Sequence, residues 1–389
     1  MLLQIENSIM KVSPKFNNLK SSYFNEVNPL IKKYNAINLA EGFTGFHCSQ
    51  KLIELVNKHL LEGLNQYAPS EGEFQLRSRV AEKVNDLYGR QYKPETEVTI
   101  TAGVSQAIYT AISALVKEGD EVIVFEPAAE YYVPAIEMNG AQAVFVPMKD
   151  PDYHIDWEEV QKIVSTQTRM IIINTPHNPT GWVMSEIDMI RLQRIINGTK
   201  IVILCDETFE HIVFEGESHQ SVALYPKLAE RSIIVSSFGE SYHVTGWQIG
   251  CCLAPEAITR EFRRVHQVMM YSVNSPYQLA LAEFLEEKDE YRKLGAFYQQ
   301  RRDYFQELME PSRFKPIPSK GTFFQLFSFE DISDEKDRDF ALRLIKEHGV
   351  ATVPISVFCH EKVKKQVLRF NFAKPDELLK EAANRLIKI

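Results

Sequence analysis

Several polar residues stand directly behind apolar runs. Gly103, Val104 and Ser105 follow VTIT, Asn178 follows IIINTPH, Asp206 ends IVILCD, and Ser237 and Glu240 follow SIIVS. Any one of them could be a turn or cap residue. Their convergence behind successive strands aims them at one crevice, where ligands bind in such sheets. The chemistry they suggest is an anion beside a heterocycle. TAGVSQAI puts a glycine, a hydroxyl and free N–H groups at a helix start. That arrangement suits a phosphate, although a serine N-cap uses the same residues. Asp206, behind a wholly apolar strand, needs a cationic partner, either a protonated ring nitrogen or an arginine. No G-x-G-x-x-G fingerprint is present, which disfavours a dinucleotide.

The elements that must position these residues set in near residue 95. Short apolar strands (VTIT, EVIVFEP, AVFVP, RMIIINTP, KIVILCDE, SIIVSSF, GCCLAP) alternate with helical segments such as SQAIYTAISALVKEG and SEIDMIRLQRIINGT. Such alternation predicts a mostly parallel sheet covered on both faces, a doubly wound α/β domain over residues 46–284. The tail reads differently. YRKLGAFYQQRRDYFQELM predicts one long helix, GTFFQLFSF and VLRFNFA strands, and DRDFALRLIKEHG a helix ending at Gly349. Residues 285–389, with residues 1–45 packed on them, form the expected smaller α+β domain.

Composition narrows the function. The chain has 389 residues, 44% hydrophobic and 25% charged, enough for a large core in two domains. Its formal net charge is −8, and no Lys/Arg run makes the basic face of a nucleic-acid binder. MLLQIENSIMKV is too short and too polar for a leader or a membrane span. The five cysteines are scattered, without C-x-x-C or a zinc pattern, which fits reduced thiols in a cytoplasmic protein.

The segments INLAEGF, NQYAPSEG, TAGVSQAIYTA, NTPHNPTG, CDETFEHI, SSFGESYHVTGWQIG, VHQVMMYSVNSP and LRFNFAK run in this order through essentially the whole chain. It resembles the fold-type I aminotransferases, the pyridoxal-phosphate (PLP) class, and within them the methionine, glutamine and kynurenine group. The resemblance implies the PLP-dependent transferase fold. It implies amino transfer between an amino acid and a 2-oxo acid, and a homodimer. It gives Asp206 the pyridine nitrogen, Asn178 the ring hydroxyl, and Gly103, Val104, Ser105 and Ser237 the phosphate. Tyr67 would reach the phosphate of the neighbouring subunit, Arg369 would clamp the substrate α-carboxylate, and Gly42 belongs to the segment closing over it.

Four positions depart from that pattern. Glu240 stands where the family has the lysine that forms a Schiff base with the cofactor. Gln248 replaces a cation on the phosphate, Ala129 a stacking aromatic ring, and Phe209 a tyrosine hydroxyl. No Lys or Arg lies between Arg231 and Gly250 to supply the amine. A carboxylate can move a proton but cannot tether a carbonyl. About 6 Å from the phosphate, at an effective dielectric of ~20, it repels each phosphate charge by roughly 3 kcal/mol. Tyr131 or Tyr132 could supply the missing ring. Three readings follow. One is an ordinary aminotransferase. Another is a lysine-less variant holding PLP or pyridoxamine phosphate (PMP) non-covalently, with Glu240 or His243 as base. The third is a non-catalytic relative that binds a carboxylate at Arg369 or acts as a dimeric partner. The missing amine favours the latter two.

Overall fold

The structure is a computed structural model and describes residues 15–16, 21–360 and 365–389. The opening stretch assessed as a leader lies outside the described residues. The chain enters through a helix, Tyr23–Tyr34, capped by the Ser22 hydroxyl, and a two-residue strand β1 (Ile37–Asn38).

The large sheet holds β2 (Val98–Thr101), β3 (Glu121–Glu126), β4 (Gln142–Pro147), β5 (Thr168–Asn174), β6 (Val202–Asp206), β7 (Ser232–Ser237) and β8 (Gly250–Leu253). Its order is β2-β8-β7-β6-β5-β3-β4. Each predicted strand is present, and β3 through β7 pair in parallel. The sheet is mostly parallel, as expected; its last strand is the exception, β8 running antiparallel to both β7 and β2. Side chains alternate between the faces with period two. Ile171, Ile173 and Ile203 join one apolar cluster, and Met170, Ile172 and Leu204 join the other. Burial on both faces is why these strands read as unbroken apolar runs.

The smaller sheet contains β9 (Lys315–Pro316), β10 (Phe324–Ser328), β12 (Val353–Pro354) and β13 (Val367–Asn371), in the order β12-β13-β10-β9. Strand β11 (Val350–Ala351) pairs in parallel with β1, which joins residues 37–38 to this part of the tail. Ahead of β1 the N-terminal segment carries the Tyr23–Tyr34 helix. The single long helix expected from residue 291 is instead a turn, Asp289–Arg292, followed by a helix, Leu294–Met309. The helix ending at Gly349 finishes in a π-type turn over Leu344–His348, and Gly349 takes the left-handed conformation at φ 65°.

Candidate active site

The register of the large sheet brings the predicted polar residues to one edge. Asn174 pairs with Asp206 across β5 and β6, while Ser237 and Thr101 both face Gly250 at the start of β8. Beyond this edge lies a cleft of about 290 Å³, closed on its far side by Arg369 of β13 and Phe324 of β10. Twelve of the thirteen expected site residues line it: Gly42, Gly103, Val104, Ser105, Ala129, Asn178, Asp206, Phe209, Ser237, Glu240, Gln248 and Arg369. Tyr67 does not. It stands 80% exposed on the surface, edge-to-face with Tyr271 at 5.1 Å.

Asp206 is buried, and its partners are hydroxyls rather than an arginine. Tyr132 donates to its Oδ2 at 2.5 Å and Tyr131 at 3.2 Å, while the Thr208 hydroxyl and N–H donate to Oδ1 at 2.6 and 3.1 Å. Among the described residues no cation lies within ion-pairing distance of it. Burial raises its pKa, and these hydrogen bonds oppose the rise. Tyr131 also lines the cleft beside Ala129, where a ring was missing.

Arg369 is buried at 2% exposure. It donates to the Asn178 Oδ1 and the Ala40 carbonyl, each at 2.8 Å, and its plane lies 3.9 Å from the Phe324 ring centroid. Its Nε has no partner, and no carboxylate among the described residues lies within 4.0 Å of it. Burial lowers its pKa to about 9, and the charge of Glu130, beyond ion-pair distance, partly opposes the drop. A desolvated guanidinium with an orphan N–H and no carboxylate in ion-pair contact is built to receive an anion.

Glu240 lies in the short helical turn Gly239–Tyr242 behind β7. Its Oε2 is buried without a hydrogen-bond partner; burial, and to a smaller extent the nearby Asp206, raise its pKa, while the Ser237 hydroxyl and its own N–H oppose the rise. Gln248 has φ 50° and turns its amide onto the Thr245 carbonyl at 2.7 Å. Gly103, at φ 80°, opens the Gly103–Leu115 helix; a Cβ there would meet the Gln248 Oε1 at 2.8 Å. Ser105 lies inside that helix, and the cap position is Ala102, so Ser105 is no N-cap. Phe209 packs edge-to-face on Phe323 and Phe324.

His243 is a correction. The same turn directs its ring away from the cleft, onto the Thr44 hydroxyl at 3.0 Å and against Phe46. It lines a separate cavity with Phe297 and Lys293, and burial lowers its pKa to about 4. It cannot serve as a base in the cleft.

Sequence reasoning passed over Asn174 and Thr208. Asn174 donates to the Asp206 carbonyl at 2.9 Å and accepts from the Asn178 N–H at 2.8 Å, bracing the NTPHNPTG turn. Its signal was that of Asp206, a polar residue ending an apolar strand. Phe24 and Phe358 also line the cleft, but no local pattern marks residues brought in from so far along the chain.

The cleft fits a PLP-type group in three respects: a buried carboxylate at Asp206 with no cation beside it among the described residues, a glycine cradle at Gly103, and a guanidinium at Arg369 without an ion-pair partner. It does not fit a covalent tether. Among the described residues, none lining the cleft is a lysine, and Arg369 is the sole cation.

Residues 34–386 match the family model for aminotransferase class I and II. The methionine aminotransferase of Escherichia coli (strain K12) is 41% identical over 373 residues, 96% of this chain and 97% of that protein. The kynurenine–oxoglutarate transaminase of Dictyostelium discoideum is 30% identical, over 97% of this chain and 96% of that protein. Among solved structures, an Escherichia coli protein with methionine aminotransferase function superposes with a TM-score of 0.94 at 40% identity, over 98% of this chain and 100% of that one. The N-succinyldiaminopimelate aminotransferase of Mycobacterium tuberculosis does so with a TM-score of 0.94 at 31% identity, over 97% and 100%. The chain belongs to the class I and II aminotransferases, a family whose cofactor is PLP and its amine form PMP.

Proposed function

We propose that this protein holds the cofactor non-covalently and an amino acid or 2-oxo acid by its carboxylate, with ordinary amino transfer impaired because Glu240 stands in place of the tethering lysine. The observation that carries the reading is Arg369, a buried guanidinium that faces the cleft with an unpartnered Nε and no carboxylate in ion-pair contact among the described residues. Its two amino groups are already held on Asn178 and Ala40, so an entering carboxylate would meet an oriented donor fork. Asp206 would take the ring nitrogen. The N–H groups of Gly103–Ser105, with the Ser237 hydroxyl, would take the phosphate. Bound there, the cofactor supplies an electron sink for the substrate Cα. Glu240 can hold or move a proton but has no amine to offer. Methionine, glutamine and aromatic amino acids are the substrate candidates, and the relatives named for methionine and kynurenine support them. The exposed Tyr67 and the free cysteines support a homodimeric, cytoplasmic protein.

A thermal-shift titration with methionine and with 2-oxoglutarate, in the presence of PMP, tests this. The wild type is expected to be stabilised by both. In Arg369→Ala the apparent affinity should fall at least thirtyfold, since removing one partner of a buried charge pair costs about 2–5 kcal/mol. Equal stabilisation of both proteins would reject the reading. A second reading, a non-catalytic relative that binds a carboxylate alone, is favoured by the absence of a lysine from the cleft lining. It predicts the same Arg369-dependent shift with no cofactor present.

A further inference from the structure

The cleft wall is unbalanced in charge. Glu130, Asp206 and Glu240 bring three carboxyl groups, and Arg369 is the sole cation opposite them. Two of the acids have assigned contacts. Asp206 is held by Tyr131, Tyr132 and Thr208, and Glu130 accepts from the Ser22 hydroxyl at 3.2 Å and the Tyr23 N–H at 3.4 Å. Glu240 differs: it is approached only by the Ser237 hydroxyl and its own N–H, and its Oε2 is buried with no donor within hydrogen-bond distance. Arg369 is committed to Asn178 and Ala40, and none of its contacts is to Glu240. The buried lysine nearest in sequence logic, Lys83, is no substitute. It pairs with Glu210 at 2.7 Å together with Ser236, whose side chain points to the opposite face of β7 from Ser237.

We infer that Glu240 is a recognition site for a primary ammonium, so that the cleft selects the amine form of its cofactor over forms lacking that charge. The inference rests on the proposed function and adds which form the cleft takes. In the family pattern the protein contributes the amine and the ligand the carbonyl; here the protein contributes the acid, and the complementary ligand carries the amine. An ammonium supplies the donor that Oε2 lacks and the counter-charge that a buried carboxylate requires. The aldehyde and alcohol forms supply no positive charge at that point.

Calorimetric titration of the full chain with PMP and with pyridoxine 5′-phosphate tests the inference. The two ligands differ only in an ammonium against a hydroxyl. The wild type is expected to bind PMP at least tenfold more tightly, and Glu240→Gln to bring the two affinities within about twofold. The ratio in the wild type is decisive even if the variant folds poorly. Equal affinities in the wild type, or a preference that survives in Glu240→Gln, would overturn the inference while leaving the proposed function standing. If neither ligand binds, the proposed function fails and the inference with it.

Discussion

Glu240 and Asp206 are acids placed where ionisation is disfavoured, and this has measurable consequences at the scale of single residues. Burial raises the Glu240 pKa above its ordinary value of 4.5. Between that value and the raised one, the folded state binds more protons than the unfolded state, so stability falls as pH rises. The penalty is absent below the window and complete above it. Glu240→Gln removes it. Urea midpoints measured from pH 4 to 8 are expected to show the variant gaining on the wild type as pH rises, then running parallel; curves parallel throughout would show no such penalty. The Asp206 cluster gives a second expectation. Tyr132 donates at 2.5 Å from a fully buried position and Tyr131 at 3.2 Å from the cleft wall. Tyr132→Phe should cost about 1–3 kcal/mol in chemical denaturation, and Tyr131→Phe less. The sequence made Asp206 legible as a buried acid in need of a partner. It could not choose hydroxyls over a guanidinium, because Tyr131 and Tyr132 reach Asp206 from a different strand–helix connection.

At the scale of elements, the turns behind the strands carry the site. Gly103 sits at φ 80°, where a Cβ is strained and would meet the Gln248 Oε1 at 2.8 Å. Gly103→Ala is expected to lower stability by about 1–2 kcal/mol and to weaken binding of inorganic phosphate in the same calorimetric assay. The Lys83–Glu210 pair ties the Phe74–Tyr88 helix to β7 through Ser236. Lys83→Met leaves a buried carboxylate without its cation, so a loss of about 3–5 kcal/mol is expected. The seven strands were legible because nearly all are buried on both faces and read as apolar runs; the edge strand β4 is half-exposed, yet AVFVP keeps its apolar composition. The direction of β8 was not, since an apolar strand has the same composition read either way. His243 misled for a related reason: adjacency to Glu240 in sequence says nothing of direction once the turn places it at φ 58°.

At the scale of the whole molecule, the fold is shared with aminotransferases along nearly its full length. The surface also bears on assembly. Leu61, Tyr67, Val268 and Tyr271 are 89%, 80%, 82% and 69% exposed, an unusual density of apolar side chains in two short segments. Sedimentation is expected to give twice the 44.8 kDa chain mass, and Leu61→Asp with Val268→Asp to return the chain mass. A monomeric wild type would remove Tyr67 from the site. The cleft's lining was legible wherever a polar residue ended a strand. Phe24, Phe358 and the closure by Arg369 depend on contacts between distant parts of the chain, which no local pattern records.

The most direct measurement is borohydride reduction of the protein saturated with PLP, followed by peptide mass spectrometry. No lysine in or beside the cleft should carry the reduced cofactor, whereas Glu240→Lys should carry it stoichiometrically at residue 240. A stoichiometric adduct on any lysine at the cleft of the wild type would contradict an untethered cofactor and restore an ordinary transaminase with its anchor moved.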